Sequence, residues 1–187
     1  MPLDFKEWTV HDLGQLPDDG LQYELLDGML HVSPQPTLKH QAVRTQVWKL
    51  LDDACPPDLF ALCTQADWQP DLRTSLQPDV MVFPLEALEA ERFCAPLTLV
   101  VEVLSPSTRY RDLVLKHAKY ATVGIASYWV VDPDVPSVLA GVLVNGRYQV
   151  VGEAQGDQEL VLKLPFPITL IPSALLSRWQ RFSAKQR

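Results

Sequence analysis

Residues 97–104, LTLVVEVL, are apolar and β-branched at both parities, the pattern of a strand covered on both faces. Such a strand has to lie inside a sheet with a layer on each side, which confines the chain to a small set of α/β arrangements. The next segments narrow that set. RYRDLVLKHAKYATVG is helical in pattern, with Leu113, Val114, His117, Ala118 and Ala121 on the expected inner face and Gly124 as the C-cap, and SYWVVDP reads as another buried strand. The unit over 97–131 has the length of a crossover that joins two parallel strands. One residue disturbs the picture. Glu102 sits within the apolar run, and a glutamate is almost never fully buried unless something compensates its charge.

The rest of the chain supplies further elements. WTVHDLGQLP predicts a short helix that starts near Thr9 and stops at Pro17, and YELLDGMLHVSP predicts two strands around an Asp27-Gly28 hairpin turn. LKHQAVRTQVWKLLDD, residues 38–53, puts Ala42 or Val43, Val47, Leu50 and Leu51 on one helical face, and Pro56-Pro57 ends the helix. DLFALCTQADWQ reads as one strand, DLRTSLQ as a loop, and VMVF as a short strand introduced by Pro78-Asp79. VPSVLAGVLVNGRYQVVG gives two strands around Asn145-Gly146, ELVLKL gives another, and PSALLSRWQRF suits a final short helix. With no repeat and no low-complexity linker, residues 1–187 read as a single α/β domain.

Composition bears on the setting. A formal charge of −7 argues against a broad nucleic-acid-binding surface, because phosphate contacts need Lys and Arg, although it leaves room for a local basic groove. No apolar run approaches the roughly 20 residues that cross a bilayer, and MPLDFKEW lacks the shape of a signal peptide. Cys55, Cys63 and Cys94 are odd in number and have no metal-ligand spacing, so they are expected to be reduced thiols in a cytoplasmic protein without membrane contact.

The chemistry gathers around Glu102. It lies near the C-terminal end of its strand, and Asp79 opens the strand before it; if those strands are antiparallel neighbours, both carboxylates reach one edge of the sheet. Two carboxylates held together repel, so the pair implies a cation, a shared proton or a lysine. Mg²⁺ suits such a place, since it takes one or two carboxylates plus waters and substrate phosphate oxygens. Plainer roles exist for each neighbour. Asp79 fits a turn after Pro78, Lys116 fits an i,i+4 ion pair with Asp112, and Glu24 fits the solvent face of its strand. His40 at a helix start is more often structural, Tyr120, Tyr128 and Trp129 read as core, and Ser105 or Ser107 fits a helix cap.

QPDV, LVVEVLSPST and RDLVLKHAKYATVGIASYWVVDP, together with YELLDGMLHVSPQPTLKHQ, resemble the restriction-endonuclease-like superfamily known by its PD-(D/E)XK signature, and within it the bacterial Uma-type branch. The similarity spans about residues 21–133, and the last third matches only as a β-rich finish. The resemblance implies a restriction-endonuclease-like fold with a central mixed β-sheet flanked by helices, and a metal-dependent endonuclease that hydrolyses DNA. It implies that Asp79 and Glu102 bind Mg²⁺, with Mn²⁺ as a substitute, helped by the main-chain carbonyl of Val103. Glu24 matches the early acidic residue near the metal. The signature lysine belongs two positions after Glu102, where this chain has Leu104, and Lys116 on the following helix matches the place to which the branch moves it. Cleaving both strands of a duplex invites two sites and hence a homodimer. The competing expectation is a non-catalytic nucleic-acid-binding or assembly module on the same fold, since fold does not guarantee activity.

Overall fold

The computed structural model describes residues 6–89, 93–106, 108–177 and 179–180. It opens with a one-turn helix α1 (Val10–Leu13), the strands β1 (Leu21–Leu26) and β2 (Met29–Pro34), and a long helix α2 (Leu38–Ala54). There follow β3 (Leu59–Leu62), β4 (Trp68–Asp71), β5 (Thr74–Leu76), β6 (Val80–Pro84), a 3-10 turn Leu85–Glu89 and β7 (Leu99–Val103). The crossover is a π-helical segment, Arg111–Lys116, that runs into α3 (His117–Thr122) and leads to β8 (Ser127–Asp132). The chain finishes with β9 (Ser137–Val144), β10 (Arg147–Gln155), β11 (Leu160–Leu162), β12 (Ile168–Leu170) and a 3-10 turn Pro172–Leu176.

A six-stranded sheet in the order β10-β9-β8-β7-β6-β3 carries the fold. β7 and β8 pair in parallel, as the crossover length requires, and the other neighbours are antiparallel, so the sheet is mixed. All five residues of β7 are buried. Alternation then divides them between two layers. Leu99, Val101 and Val103 join Val43, Val47 and Leu51 of α2 on one face, with the β11–β12 ribbon and the last 3-10 turn packed beside them. Val100 joins Trp68, Leu76, Met81, Tyr120 and Tyr128 on the other. Glu102 shares the parity of Val100, so it points toward the crossover. A four-stranded sheet, β2-β1-β5-β4, covers that side.

Both predicted hairpin turns form. Asp27 and Gly28 have φ of 50° and 84°, and Asn145 and Gly146 have 50° and 75°, the paired left-handed conformations that a tight two-residue turn needs. Three readings of the sequence need correction. DLFALCTQADWQ is two strands, β3 and β4, which belong to different sheets, and DLRTSLQ is no loop but holds β5. Asp71 folds that hairpin: its Oδ1 accepts from Arg73 N at 2.8 Å and its Oδ2 from the Thr74 hydroxyl at 3.1 Å, so polar residues that read as loop form a capped turn. The crossover helix is turned over. Its buried residues are Asp112, Lys116 and Tyr120, whereas Leu113 and Val114 are 39% and 44% exposed, Ala118 is exposed, and His117 and Ala121 are half-buried. The tail opens with a 3-10 turn at Pro172–Leu176 that runs into helical residues at 177 and 179–180, in keeping with the predicted final helix; Arg178 and residues 181–182 lie outside the described residues. Among the described residues no helix is long and apolar enough to cross a membrane.

Candidate active site

The start of β6 lies beside the end of β7 because the two strands are antiparallel, with Val80 opposite Val101. Asp79 and Glu102 therefore reach the same edge, where a cavity of about 200 Å³ opens between the two sheets, the start of α2 and the crossover. Asp79 Oδ2 accepts a 2.8 Å hydrogen bond from Val103 N, which ties the loop before β6 to the end of β7. Glu102 is 2% exposed, and two hydrogen-bond donors compensate its burial. Its Oε1 accepts from the Tyr120 hydroxyl at 2.7 Å and from Lys116 Nζ at 3.2 Å.

Lys116 is the hub of the site. Its ammonium lies 2.8 Å from Glu24 Oε1, 3.2 Å from Glu102 Oε1 and 3.6 Å from Asp112 Oδ1. Leu104, which the resemblance aligns with the signature lysine, is buried in the apolar layer, and the ammonium arrives from the crossover. Glu24 comes from β1. Its Oε1 also accepts from Gln77 N at 2.9 Å, and its Oε2 pairs with Arg111 Nη2 at 2.9 Å. A π-helical turn at a functional site is a recurring device, and here Arg111, Asp112 and Lys116 all belong to it. His40, in the first turn of α2, places Nε2 2.7 Å from the Val103 carbonyl oxygen and 3.3 Å from Asp79 Oδ2. The Thr37 hydroxyl caps that helix by accepting from His40 N.

The electrostatics follow from this crowding. Burial pushes the Glu102 carboxyl well above the usual carboxylate range; Lys116 opposes that rise, and Asp112, Asp79 and Glu24 add to it. Asp112 is raised as well, mainly by burial. Burial would lower Lys116, but Glu102, Glu24 and Asp112 outweigh it and hold the amine firmly protonated. Glu24 feels the same burial, yet Lys116 and Arg111 bring it below its ordinary value. Burial also works to lower His40, and Asp79 with the Val103 carbonyl turns the balance upward. Four carboxyl groups thus crowd around the Lys116 and Arg111 cations, and burial disfavours the charged forms of Glu102 and Asp112 unless more positive charge is supplied.

That imbalance suits a divalent cation. The Oδ1 atom of Asp112, a residue 2% exposed on the cavity wall, has no hydrogen-bond partner among the described residues and meets the Lys116 ammonium and Arg111 Nε only at 3.6 Å and 3.8 Å. No three His, Cys, Asp or Glu side chains among the described residues are gathered closely enough to cage an ion by themselves. Mg²⁺ and Mn²⁺ do not require such a cage, because water and substrate oxygens complete their shells. The donor set therefore fits an oxygen-preferring divalent ion.

Asp79, Glu102, Lys116, Glu24 and the Val103 backbone, all singled out from the sequence, meet at this one place. Arg111 was not singled out; an arginine at a helix start reads as a surface residue. The available signal was the Asp112, Lys116, Tyr120 spacing, three non-aliphatic residues four apart on one helical face. Tyr120 is core, as expected, but its hydroxyl serves Glu102. Ser105 caps the turn after β7, with its Oγ accepting from Thr108 N at 3.3 Å, and Ser107 lies outside the described residues.

A mixed α/β sheet with carboxylates, a lysine and an arginine around a cavity at its strand ends has the architecture of a nuclease-like domain. The profile of the Uma2 family, described as "Putative restriction endonuclease", matches residues 10–175, and the chain belongs to that family. The fold is also that of a crystal structure of "a putative nuclease belonging to DUF820" from Anabaena variabilis ATCC 29413, with a TM-score of 0.71 and 20% identity over 90% of this chain and 97% of that one. No curated protein is similar to the chain.

Proposed function

We propose that the protein is a metal-dependent endonuclease that hydrolyses DNA phosphodiester bonds, with Asp79, Glu102 and the Val103 carbonyl holding Mg²⁺ or Mn²⁺. The observation that carries this reading is the meeting of Asp79 and Glu102 with the Lys116 ammonium in one cavity, from three separate stretches of sequence. A bound divalent ion would lower the pKa of water and offset charge at phosphorus. The chain's own groups do the rest. Lys116, held protonated by three carboxylates, is a charge stabiliser for the phosphate and not a general base, a choice that the sequence leaves open. Glu24 fixes both Lys116 and Arg111, and Arg111 on the cavity wall offers a guanidinium to a non-bridging phosphate oxygen. Tyr120 anchors Glu102. With a net charge of −7, DNA contact is confined to the neighbourhood of this cavity, and cleavage of a duplex calls for two copies of the chain. Cys55, Cys63 and Cys94 are unpaired thiols, in keeping with a cytoplasmic setting.

The test is cleavage of supercoiled DNA, single-stranded DNA and RNA in Mg²⁺ or Mn²⁺. The wild type should cut DNA and stop on chelation, and Asp79→Asn, Glu102→Gln and Lys116→Ala should each lose roughly 10²-fold or more in rate. Cleavage that survives chelation or the three substitutions would refute the assignment. Binding of DNA without cutting would favour the non-catalytic module, to which the replacement of the signature lysine by Leu104 points.

A further inference from the structure

Two short segments that wall the cavity carry the same pair of residue types. Between Thr37 and His40, which line it, come Leu38 and Lys39; between Thr108 and Arg111, which also line it, come Arg109 and Tyr110. Leu38 and Tyr110 are 75% and 70% exposed, the two most exposed large apolar side chains among the described residues. A lone exposed leucine or tyrosine needs no explanation, but here each stands beside a cation at the rim of one cavity. One turn holds both cations. β7 and β8 are parallel neighbours with Val103 opposite Val131, so the turn after β8 lies next to the strand ends that form the cavity. Asp132, at the end of β8, accepts from the N–H groups of Asp134 and Val135 at 2.9 Å and 3.1 Å and pairs with the Arg109 guanidinium. Asp134 Oδ1 lies 2.6 Å from Lys39 Nζ.

We propose that this rim is the path of a single DNA strand, which leaves the cavity over the end of β8 with Lys39 and Arg109 on its phosphates and Tyr110 and Leu38 against its bases. This rests on the nuclease reading above and names the form of the substrate. Single strands are bound by cations that follow the backbone and by aromatic side chains on which unpaired bases stack, and a duplex, whose bases are already stacked, has no use for the second. Access points the same way. Glu102 and Lys116 are 2% exposed in a cavity of about 200 Å³, so the scissile phosphate has to enter it, which one strand does more readily than a paired one. The acids of the turn place the cations without cancelling them. Asp132 spends its charge on two N–H groups as well as on Arg109, whose fork has further donors. The surface pair of Lys39 with Asp134 is weak enough for a phosphate oxygen to take the place of the carboxylate.

The experiment is fluorescence anisotropy of a labelled oligothymidylate and of a labelled duplex of equal length, each mixed with the full-length protein in chelator so that neither is cut. The wild type should bind the single strand more tightly. Tyr110→Ala should weaken that binding roughly fivefold or more, and Lys39→Gln and Arg109→Gln should each lower the slope of log K against log salt by about 0.7. Lys49→Gln, which breaks an ion pair with Asp53 near the other end of α2, should change neither. In cleavage with Mg²⁺ or Mn²⁺ the first three substitutions should raise KM and leave kcat nearly unchanged, as loss of uniform binding does. If Arg109→Gln fails to fold because Asp132 loses its partner, Lys39→Gln and Tyr110→Ala still decide the matter. Equal or tighter binding of the duplex, or variants that bind and cut as the wild type does, would overturn the path and leave the nuclease standing. Binding that depends on these residues without any cutting would keep the path and overturn the nuclease. A wild type that neither binds nor cuts would overturn both.

Discussion

Lys116 carries an unusual share of the site, since one buried ammonium answers three carboxylates. Removing it leaves Glu24 and Glu102 buried with too little positive charge around them. Lys116→Ala should therefore cost about 3–5 kcal/mol in the metal-free protein, read from urea unfolding, and any activity assay of this variant needs that control. Tyr120→Phe removes only the 2.7 Å hydroxyl donor of Glu102. Its expected cost is smaller, about 1–3 kcal/mol, with slower cleavage because Glu102 is no longer fixed. Asp132, away from the cavity, offers a pH test. Burial alone would raise its carboxyl, but the N–H groups of Val135 and Asp134 and the Arg109 guanidinium win and hold it below its ordinary value. Its folded value thus lies below the unfolded one, near 3.9. The stabilisation is complete above that pH and disappears as pH falls through the folded value. Asp132→Asn should be less stable than the wild type at neutral pH, and denaturation curves for the two should converge in acid. At this scale the sequence was most legible where a residue broke its context: Glu102 inside an apolar run stood out, and Arg111 at a helix start did not.

Elements were legible where one principle governed them. Strands buried on both faces, Asp-Gly and Asn-Gly turns, and the α2 stripe of Val43, Val47 and Leu51 all formed as the pattern predicts. The crossover helix shows where pattern fails. Periodicity assigns its aliphatic residues to the inside, but the site claims that face for Asp112, Lys116 and Tyr120, and the π turn displaces the register further. Leu113→Gln should accordingly change stability by no more than about 0.5 kcal/mol. A loss of several kcal/mol on thermal or urea unfolding would restore the apolar-inside reading. β10 makes the opposite case. Its pairing with β9 slips between Val150 and Gly152, and a Cβ at Gly152 would come within 2.7 Å of Leu162 Cδ2 and 2.8 Å of Leu160 Cδ1. Those leucines are buried against the sheet, so Gly152→Ala should cost about 1–3 kcal/mol and lower the melting temperature.

Across the whole molecule, the two sheets, α2 and the crossover each contribute to one cavity: Glu24 from the smaller sheet, Asp79 and Glu102 from the larger, His40 from α2, and Arg111, Asp112 and Lys116 from the crossover. No single stretch of sequence contains a site of this kind. Apart from Arg111, the residues that reach it were readable one by one, whereas their mutual distances came only from the folding of distant segments onto each other. The central claim is that this convergence exists to hold a divalent cation. Calorimetric titration of Mn²⁺ and Mg²⁺ into metal-free protein tests it most directly, with Asp79→Asn and Glu102→Gln in parallel. Saturable binding by the wild type, abolished by both substitutions, is the expected result. Undiminished binding in the two variants, or no binding by the wild type with or without DNA present, would contradict it.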